Sequence, residues 1–236
     1  MKDTAEHRVA VVTGVSRGVG LGIAQHLGQS NFRVVGISRT IPPENLHAVH
    51  IAADMTDSDS VVSAFQEIKE QFGRVDVLIN NAAVLNSQYL MIMSTKSIEA
   101  MISTNLTGAI IATREAMKIM RKNHYGRIIN ISSMATVLKP TGDSVYAATK
   151  SAIEMFSSIT AKESFSMGIT SNVLSVSAFD SEMFRSLNHE RVQKVVDGLP
   201  VPGLVGIDEV TNIVDYLISP AGASITGQII RLGGIS

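Results

Sequence analysis

The sequence predicts a single α/β domain over residues 1–236, with a doubly wound parallel sheet and helices on both of its faces. The chain has 236 residues, of which 45% are hydrophobic, and this suits one domain with a sizeable core. Apolar runs of strand length alternate with longer helix-like stretches. These runs are continuous and rich in β-branched residues, as expected for strands that are covered on both faces. Right-handed crossovers between such strands produce double winding.

The predicted elements follow one another in order along the chain. Continuous apolar runs predict strands at residues 9–13, 33–37, 48–52 (the weakest), 75–79, 127–131, 170–176 and 229–232. Helices are predicted at residues 20–29, 60–72, roughly 97–122, 145–166 and 209–218. In the second of these helices the apolar side chains recur at helical spacing on one face. Residues 179–205 are the least regular long stretch, and a loop of this length is typical of a substrate lid.

Composition and charge exclude several classes of function. The formal net charge is −1, so the chain lacks the basic character of a protein that binds nucleic acid or an anionic membrane. There are no cysteines and the six histidines show no ligand spacing, so no metal site is predicted. The polar first residues do not resemble a secretory signal, and no apolar run reaches the ~20 residues that span a bilayer. We therefore expect a cytoplasmic protein.

A glycine-rich turn joins the first strand to the first helix. Its glycines permit a tight turn and let the backbone approach a pyrophosphate, whose charge is favoured at a helix N-terminus. Three glycines alone also occur in purely structural turns, but their position between strand and helix favours a dinucleotide site. The expected contacts are Gly14, Ser16, Arg17, Gly18, Val19 and Gly20.

The spacing Thr-Gly-x-x-x-Gly-x-Gly resembles that of the short-chain dehydrogenase/reductase family, and the resemblance extends over nearly the whole chain. It implies a Rossmann fold that binds a nicotinamide dinucleotide. By this resemblance Asn81 and Ala82, at the end of a strand, would support the turn and border the cofactor. Asp54 and Met55 would contact the adenine. Ala83 departs from the family pattern, which usually has glycine at this position.

The cofactor is expected to be NADP(H). An acidic residue at the end of the second strand would bond the ribose hydroxyls of NAD and repel a 2′-phosphate, but Ser38 stands there, followed by Arg39. Arg17, inside the glycine turn, supplies a second guanidinium. Two guanidiniums can hold a 2′-phosphate through charge-assisted hydrogen bonds. The alternative is that both arginines are solvated surface residues.

Tyr146 and Lys150 lie four residues apart, which places them on one face of a helix, one turn from each other. A free tyrosine has a pKa of about 10 and is a poor proton shuttle at neutral pH. A nearby ammonium, together with a cationic oxidised nicotinamide, favours the phenolate and would lower this pKa. Taken alone, the same spacing is also common in ordinary surface pairs.

The family resemblance assigns partners to this pair. Ser133 closes a strand thirteen residues before Tyr146, as the family requires, and would bind the substrate carbonyl oxygen. Ser132 is the competing choice, because one register step exchanges the two serines. Asn105 matches a family asparagine that binds a water linking Lys150 to bulk solvent, and the alternative is an exposed helix residue. Tyr146 would donate its proton to the carbonyl oxygen as hydride arrives from the nicotinamide.

Two further segments bear on the cofactor and on assembly. Val176-Ser177 stands where the family has Pro-Gly beside the nicotinamide, and Ser181 stands where it has a threonine that bonds the carboxamide. Residues 225–234 resemble the family's closing strand, which commonly builds tetramers. The resemblance therefore implies a homo-oligomer, either a tetramer or a dimer.

The nearest resemblance is to 3-oxoacyl-[acyl-carrier-protein] reductases, judged by the glycine turn, residues 130–133 and the tail. It implies NADPH-dependent reduction of a 3-oxoacyl thioester carried on acyl carrier protein or coenzyme A. His124-Tyr125 and Met167, however, stand where those enzymes have the basic residues that dock the carrier. Two alternatives stay open. One is a related enzyme that acts on another small ketone or alcohol in secondary metabolism, and the other is a non-catalytic, cofactor-binding partner subunit.

Overall fold

A computed structural model describes residues 7–43, 46–180, 193, 196–201 and 203–235. Within these residues the strands are β1 (Arg8–Thr13), β2 (Phe32–Ser38), β3 (Val49–Ala52), β4 (Val77–Asn80), β5 (Gly126–Ser133), β6 (Ile169–Val176) and β7 (Ile229–Arg231). The helices are α1 (Gly18–Gln29), α2 (Ser58–Phe72), α3 (Thr95–Ile102), α4 (Ala109–Met120), α5 (Ala135–Leu138), α6 (Ser144–Ser164) and α7 (Ile207–Ile218). Short 3₁₀ turns lie at Leu90–Ile92, Arg121–Asn123, Phe165–Met167 and Pro220–Gly222.

The strands form one sheet in the order β3-β2-β1-β4-β5-β6-β7, and every pair is parallel. Strand order runs outward in one direction from β1 to β3 and in the other from β4 to β7. The direction therefore reverses between β1 and β4, and in such sheets ligands bind at the carboxyl ends of the strands that flank this point.

Both faces of the sheet are covered by helices, because alternate side chains of its strands point to opposite sides. On β1, Val9 and Val11 join a core with α2 and α4, which includes Phe65 and Ile119. Ala10 and Val12 join a second core with α1 and α7, which includes Leu27 and Val214. The predicted fold class, a doubly wound parallel sheet with helices on both faces, is confirmed.

The long helical region predicted at residues 97–122 is helical but not uniform. It consists of α3, a π-helical turn at Ser103–Gly108, and α4. In the π turn the side chain of Asn105 leaves the helix and bonds the backbone of Val84. A Cβ at Gly108 would collide with the backbone carbonyl of Met55, so only glycine allows α4 to begin this close to the β3–α2 loop.

Two features lie outside the sequence prediction. Helix α5 has four residues, too few for a periodic pattern, and its N-cap residue makes no side-chain capping bond. The predicted lid at residues 179–205 falls largely on positions 181–192, 194, 195 and 202, which lie outside the described residues. Its role stays a prediction. The backbone N–H of Val205 donates to the carbonyl of Ala178 at 2.7 Å, and this bond joins the two ends of the segment.

Candidate active site

A cleft of about 1400 Å³ opens at the carboxyl ends of the central strands, where the strand order reverses. Most of the predicted site residues line it: Gly14, Ser16, Arg17, Gly18, Val19, Ser38, Arg39, Asp54, Met55, Asn81, Ala82, Ser133, Tyr146 and Lys150. Gly20 and Asn105 lie behind the wall of the cleft rather than in it. Ser181 lies outside the described residues.

The glycine turn is held from the neighbouring strand. The side-chain amide of Asn81 donates to the carbonyl oxygens of Thr13 and Gly14 at 3.0 and 3.1 Å. In return, the hydroxyl oxygen of Thr13 accepts from the backbone N–H groups of Asn81 and Ala82, both at 3.1 Å. These four bonds fix the turn against the end of β4, as predicted for the strand end around Asn81.

Two glycines of the turn are required by close approach. Gly14 has φ +75°, and a Cβ there would lie 2.8 Å from the Cα of Ala82. A Cβ at Gly20 would collide with the amide of Asn81 and the carbonyl of Gly14. Gly20 was predicted as a cofactor contact, but in the structure it does not line the cleft and lies against Asn81. It lets the first turn of α1 pack on Asn81.

The N-terminus of α1 offers the donors that a pyrophosphate needs. The N-cap residue, Arg17, makes no side-chain capping bond, so the amides of the first helical turn have no capping partner. They point into a cleft that is bordered by glycine backbone, and a helix N-terminus favours negative charge. The residues present therefore fit a dinucleotide.

Serine and arginine side chains lie where the adenosine end would bind. The Ser38 hydroxyl donates to the carbonyl of Thr40 at 2.7 Å and lies 3.1 Å from Nε2 of His50. A guanidinium nitrogen of Arg39 is 3.7 Å from the Asp54 carboxylate, but the Arg39 side chain is 66% exposed. An ion pair this long and this exposed contributes little stability, so Arg39 can turn toward a phosphate at little cost.

Asp54 has partners of its own. The backbone N–H and the hydroxyl of Thr56 both donate to one carboxylate oxygen at 2.9 Å. The backbone hydrogen bond from Thr56 is the main cause that holds the pKa of Asp54 below its usual value, with a smaller contribution from Arg39. The group is therefore a fixed anion beside the adenine position.

Tyr146 and Lys150 project from α6 into the cleft and are not a surface pair. Their relative exposures are 8% and 3%. The hydroxyl of Ser133 lies close enough to the phenol to lower its pKa. The Lys150 ammonium donates to the carbonyl of Ile131 at 2.7 Å, and its nitrogen lies 5.8 Å from the centre of the Tyr146 ring.

The two candidate serines point in different directions. The hydroxyl of Ser132 donates to Glu154 at 2.6 Å, and Thr136 donates to the same carboxylate oxygen at 3.0 Å. The hydroxyl of Ser133 instead meets Tyr146 and accepts from the backbone N–H of Ala135 at 3.2 Å. The geometry therefore brings Ser133, and not Ser132, to the phenol.

The charge state of the tyrosine differs from the sequence expectation. Burial raises the pKa of Tyr146 to about 12, the Ser133 hydrogen bond lowers it, and the negative charge of Asp143 raises it further. Burial also lowers the pKa of Lys150, to about 8. The expected lowering of the tyrosine pKa involved both the ammonium and a cationic oxidised nicotinamide, so it stays a prediction for the protein with its cofactor; in the chain by itself, desolvation is the main cause of the shift.

Asn105 is not the exposed helix residue that was the alternative, since only 2% of its surface is accessible. Its side chain accepts from the Val84 N–H at 2.8 Å and donates to the Val84 carbonyl at 2.9 Å. It also donates to the Thr149 hydroxyl at 3.2 Å. Both amide hydrogens of the side chain are used in these bonds, so a water on Asn105 would be held by an oxygen atom, either the backbone carbonyl or the second lone pair of Oδ1. π-helical turns such as this one are frequent at functional sites.

Sequence reasoning missed several residues of the cleft. Thr104, the 84–87 segment and Asp143 all line it. Asp143 directly precedes α6 and is 8% exposed. The available signal was its position three residues before Tyr146, the spacing of neighbours on one helix face. The departures Ala83 and Val176-Ser177 also line the cleft.

Two searches of the described residues bear on other functions. No helix there is long and apolar enough to cross a membrane. No group of three or more His, Asp or Glu side chains among them is arranged to hold a metal ion.

Comparisons with known proteins agree with this geometry. A model of the short chain dehydrogenase family matches residues 8–192. The chain is 32% identical to the 3-oxoacyl-[acyl-carrier-protein] reductase FabG of Escherichia coli, covering 97% of each protein. It is 34% identical to the 3-oxoacyl-[acyl-carrier-protein] reductase MabA of Mycobacterium avium, covering 96% of this chain and 89% of that one. The crystal structure of actinorhodin polyketide ketoreductase with NADPH superposes with a TM-score of 0.87 at 26% identity, covering 96% of each chain.

Proposed function

The chain belongs to the short chain dehydrogenase family, and from that premise we propose that it reduces a carbonyl group to an alcohol with NADPH as the hydride donor. It is an oxidoreductase of carbonyl and alcohol groups that needs a nicotinamide cofactor, and it is not a mere binding subunit. The first substrate candidate is a 3-oxoacyl thioester, on acyl carrier protein or on coenzyme A. The names of the Escherichia coli and Mycobacterium avium relatives support this candidate.

The choice of NADPH rests on the adenosine end of the cleft. Ser38 leaves room for a 2′-phosphate where an acidic side chain would repel it. Arg39 and Arg17 both line this end, and fork-like guanidinium bonds suit a phosphate. The actinorhodin ketoreductase structure contains NADPH, which supports the same choice.

The proposed roles of the catalytic residues follow from their contacts. The cofactor, when bound, supplies the hydride. Tyr146 holds on its phenol oxygen the proton that passes to the carbonyl oxygen of the substrate. Ser133, whose hydroxyl lies beside that phenol, orients the same carbonyl oxygen and stabilises the charge that develops on it. The Lys150 ammonium nitrogen lies 5.8 Å from the centre of the Tyr146 ring, and an oxygen of Asn105 would hold the water that leads to solvent.

One observation carries the proposal. Tyr146, Ser133 and the glycine turn at the N-terminus of α1 all line the same cleft, and the Ser133 hydroxyl lies close enough to the phenol to lower its pKa. A carbonyl oxygen placed beside this pair would meet a proton donor and an orienting donor at once.

The test is steady-state oxidation of NADPH and of NADH with acetoacetyl-coenzyme A and with small ketones. We expect turnover with NADPH to exceed turnover with NADH, and Tyr146→Phe to lower kcat by at least about 10²-fold, the usual contribution of a general acid. Tyr216→Phe, on the outer face of α7, is the matched control and should keep full activity. Full turnover by Tyr146→Phe would refute the proposed role.

A second substrate candidate is a different small ketone. It is favoured by the carboxylate of Asp143, which lines the substrate end of the cleft and which a neutral 3-oxoacyl chain does not need. The small ketone is also favoured by His124-Tyr125 and Met167, which occupy the positions where carrier-docking basic residues are expected. Turnover of acetoacetyl-coenzyme A relative to free ketones separates the two candidates.

We also propose that the chain forms a homo-oligomer, a tetramer or a dimer. Met155 and Ile159 are largely exposed on one side of α6, where a partner could cover them. Light scattering coupled to size-exclusion chromatography measures the assembly directly, and a monomer at micromolar concentration would contradict this proposal.

A further inference from the structure

A carboxylate without a partner lies at the substrate end of the cleft. Asp143 is 92% buried and lines the cleft three residues before Tyr146. Although it is the N-cap residue of α6, its side chain makes no capping bond. Its Oδ1 atom is fully buried and has no hydrogen-bond partner within the described ranges.

Buried carboxylates are normally satisfied by donors or by cations. An ionised aspartate has only acceptor sites, and in protein interiors these are almost always occupied. Asp143 has no Lys, Arg or His partner within 4.0 Å in the part of the chain that the structure describes. Because the residue lines the cleft, a donor that enters the cleft could bond its carboxylate.

The charges in the cleft are separated into two groups. Arg17, Arg39 and Asp54 lie at the adenosine end. At the reaction end, the charged residues lining the cleft are Lys150 and Asp143. Lys150 is already bonded to the carbonyl of Ile131. A substrate that binds at the reaction end thus meets one anion and one cation, and among the described residues neither has an ion-pair partner of its own.

The carboxylate also acts on the proposed proton donor. Burial is the main cause of the raised pKa of Tyr146, and the negative charge of Asp143 adds to it. A positive group beside Asp143 would cancel this added effect. The site is therefore electrostatically matched to a cationic ligand that arrives together with the carbonyl.

We propose that Asp143 binds a protonated amine of the substrate, so that the enzyme acts on amino ketones and, in reverse, on amino alcohols. The inference rests on the proposed carbonyl reduction and decides between its two substrate candidates in favour of the small ketone. Asp143 and Tyr146 line the same cleft three residues apart in the sequence, so a ligand that carries its amine close to its carbonyl suits the site. The amine keeps its proton throughout, and the proton that reaches the carbonyl oxygen comes from Tyr146.

The competing explanation is structural. A carboxylate at the N-terminus of a long helix is favoured by the helix dipole, even without a capping bond. Asp143→Asn separates the two explanations, because it keeps the size and the capping ability of the side chain and removes only the charge. Asp57→Asn is the matched control, since Asp57 is the N-cap residue of α2 and does not line the cleft.

The experiment compares ketone pairs that differ by exchange of a protonated nitrogen for carbon, beginning with N-methyl-4-piperidone and 4-methylcyclohexanone. For the wild-type protein with NADPH we expect kcat/KM to favour the amine by about tenfold or more, as for a charge-assisted bond in a shielded site. In Asp143→Asn the ratio of the two kcat/KM values, amine over neutral ketone, should fall below about threefold. Asp57→Asn should keep the wild-type preference. Equal preference in wild type and Asp143→Asn, or a wild-type preference for the neutral ketone, overturns the inference.

A binding measurement keeps the inference independent of turnover. N-methyl-4-piperidinol is titrated calorimetrically into wild type and Asp143→Asn in the presence of NADP⁺. Weaker binding to Asp143→Asn supports the amine site even if no ketone is reduced, in which case only the proposed function fails. Equal binding to the two proteins, or binding to neither, overturns the inference.

Discussion

Replacing Lys150 by methionine should change how the stability of the protein depends on pH. The ammonium is 97% buried, and burial lowers its pKa from 10.5 to about 8. In the unfolded chain the lysine keeps its proton up to its ordinary pKa. Between the two values the unfolded state binds the proton and the folded state does not, so the free energy of unfolding rises with pH in this window.

The size of the effect follows from the shift. A difference of one pKa unit corresponds to 1.36 kcal/mol, so the wild-type protein should gain about 1 kcal/mol between pH 7 and pH 9 and about 2 kcal/mol by pH 10 from this group alone. Lys150→Met lacks the titrating group and should lack this gain. The variant also leaves the Ile131 carbonyl without its donor, but that cost does not depend on pH and cancels from the comparison.

The assay is urea unfolding of both proteins at pH 7, 8, 9 and 10, with the difference in unfolding free energy plotted against pH. Higher pH is avoided because the pKa of Tyr146 is raised to about 12. Above pH 10 the unfolded tyrosine loses its proton while the folded one keeps it, and stability falls. A difference that stays flat from pH 7 to pH 10 would refute the assignment of Lys150 as a desolvated ammonium.

Two further substitutions test the serine pair and the turn. Ser133→Ala should lower kcat by about 10²-fold, because the substrate carbonyl oxygen loses a donor. Ser132→Ala should keep kcat within about threefold, because the Ser132 hydroxyl bonds Glu154 instead. Similar kcat values for the two variants in NADPH oxidation would contradict the choice of Ser133. Asn81→Ala removes two bonds to the glycine turn and should lower the free energy of unfolding by about 1–3 kcal/mol and raise the Kd for NADPH. Unchanged NADPH affinity, measured by fluorescence titration, would show that the turn does not depend on Asn81.

The fold could be predicted from the sequence because local pattern and tertiary structure agree. Strands such as β1 and β4 are buried on both faces, and their apolar runs indicate buried strands before any packing is known. Helix α5 could not be read in this way, since its four residues complete only about one turn. The π turn around Asn105 depends on Val84, a residue far away in the sequence, and no local pattern reports such a contact.

In the site, too, features that depend on sequence spacing could be predicted, whereas features that depend on the packed environment could not. The thirteen-residue spacing to Tyr146, taken from the family resemblance, favoured Ser133 over Ser132, and in the structure Ser132 instead donates to Glu154. The large effect of burial on the pKa of Tyr146 could not be predicted from the sequence, because burial is set by the whole fold. Asp143 was overlooked for a related reason. Its sequence position is that of an ordinary helix cap, and only the packed structure leaves its carboxylate without a partner.

Glu154 has a mechanical consequence for the reacting groups. Glu154 follows Tyr146 and Lys150 on α6 at the same four-residue interval. Its carboxylate accepts hydrogen bonds from Ser132 at the end of β5 and from Thr136 in α5. Helix α6 thus carries the phenol of Tyr146 and is also bonded to the strand end that carries the Ser133 hydroxyl. The bond between Glu154 and Ser132 therefore fixes the helix that carries Tyr146 relative to the strand end that carries Ser133.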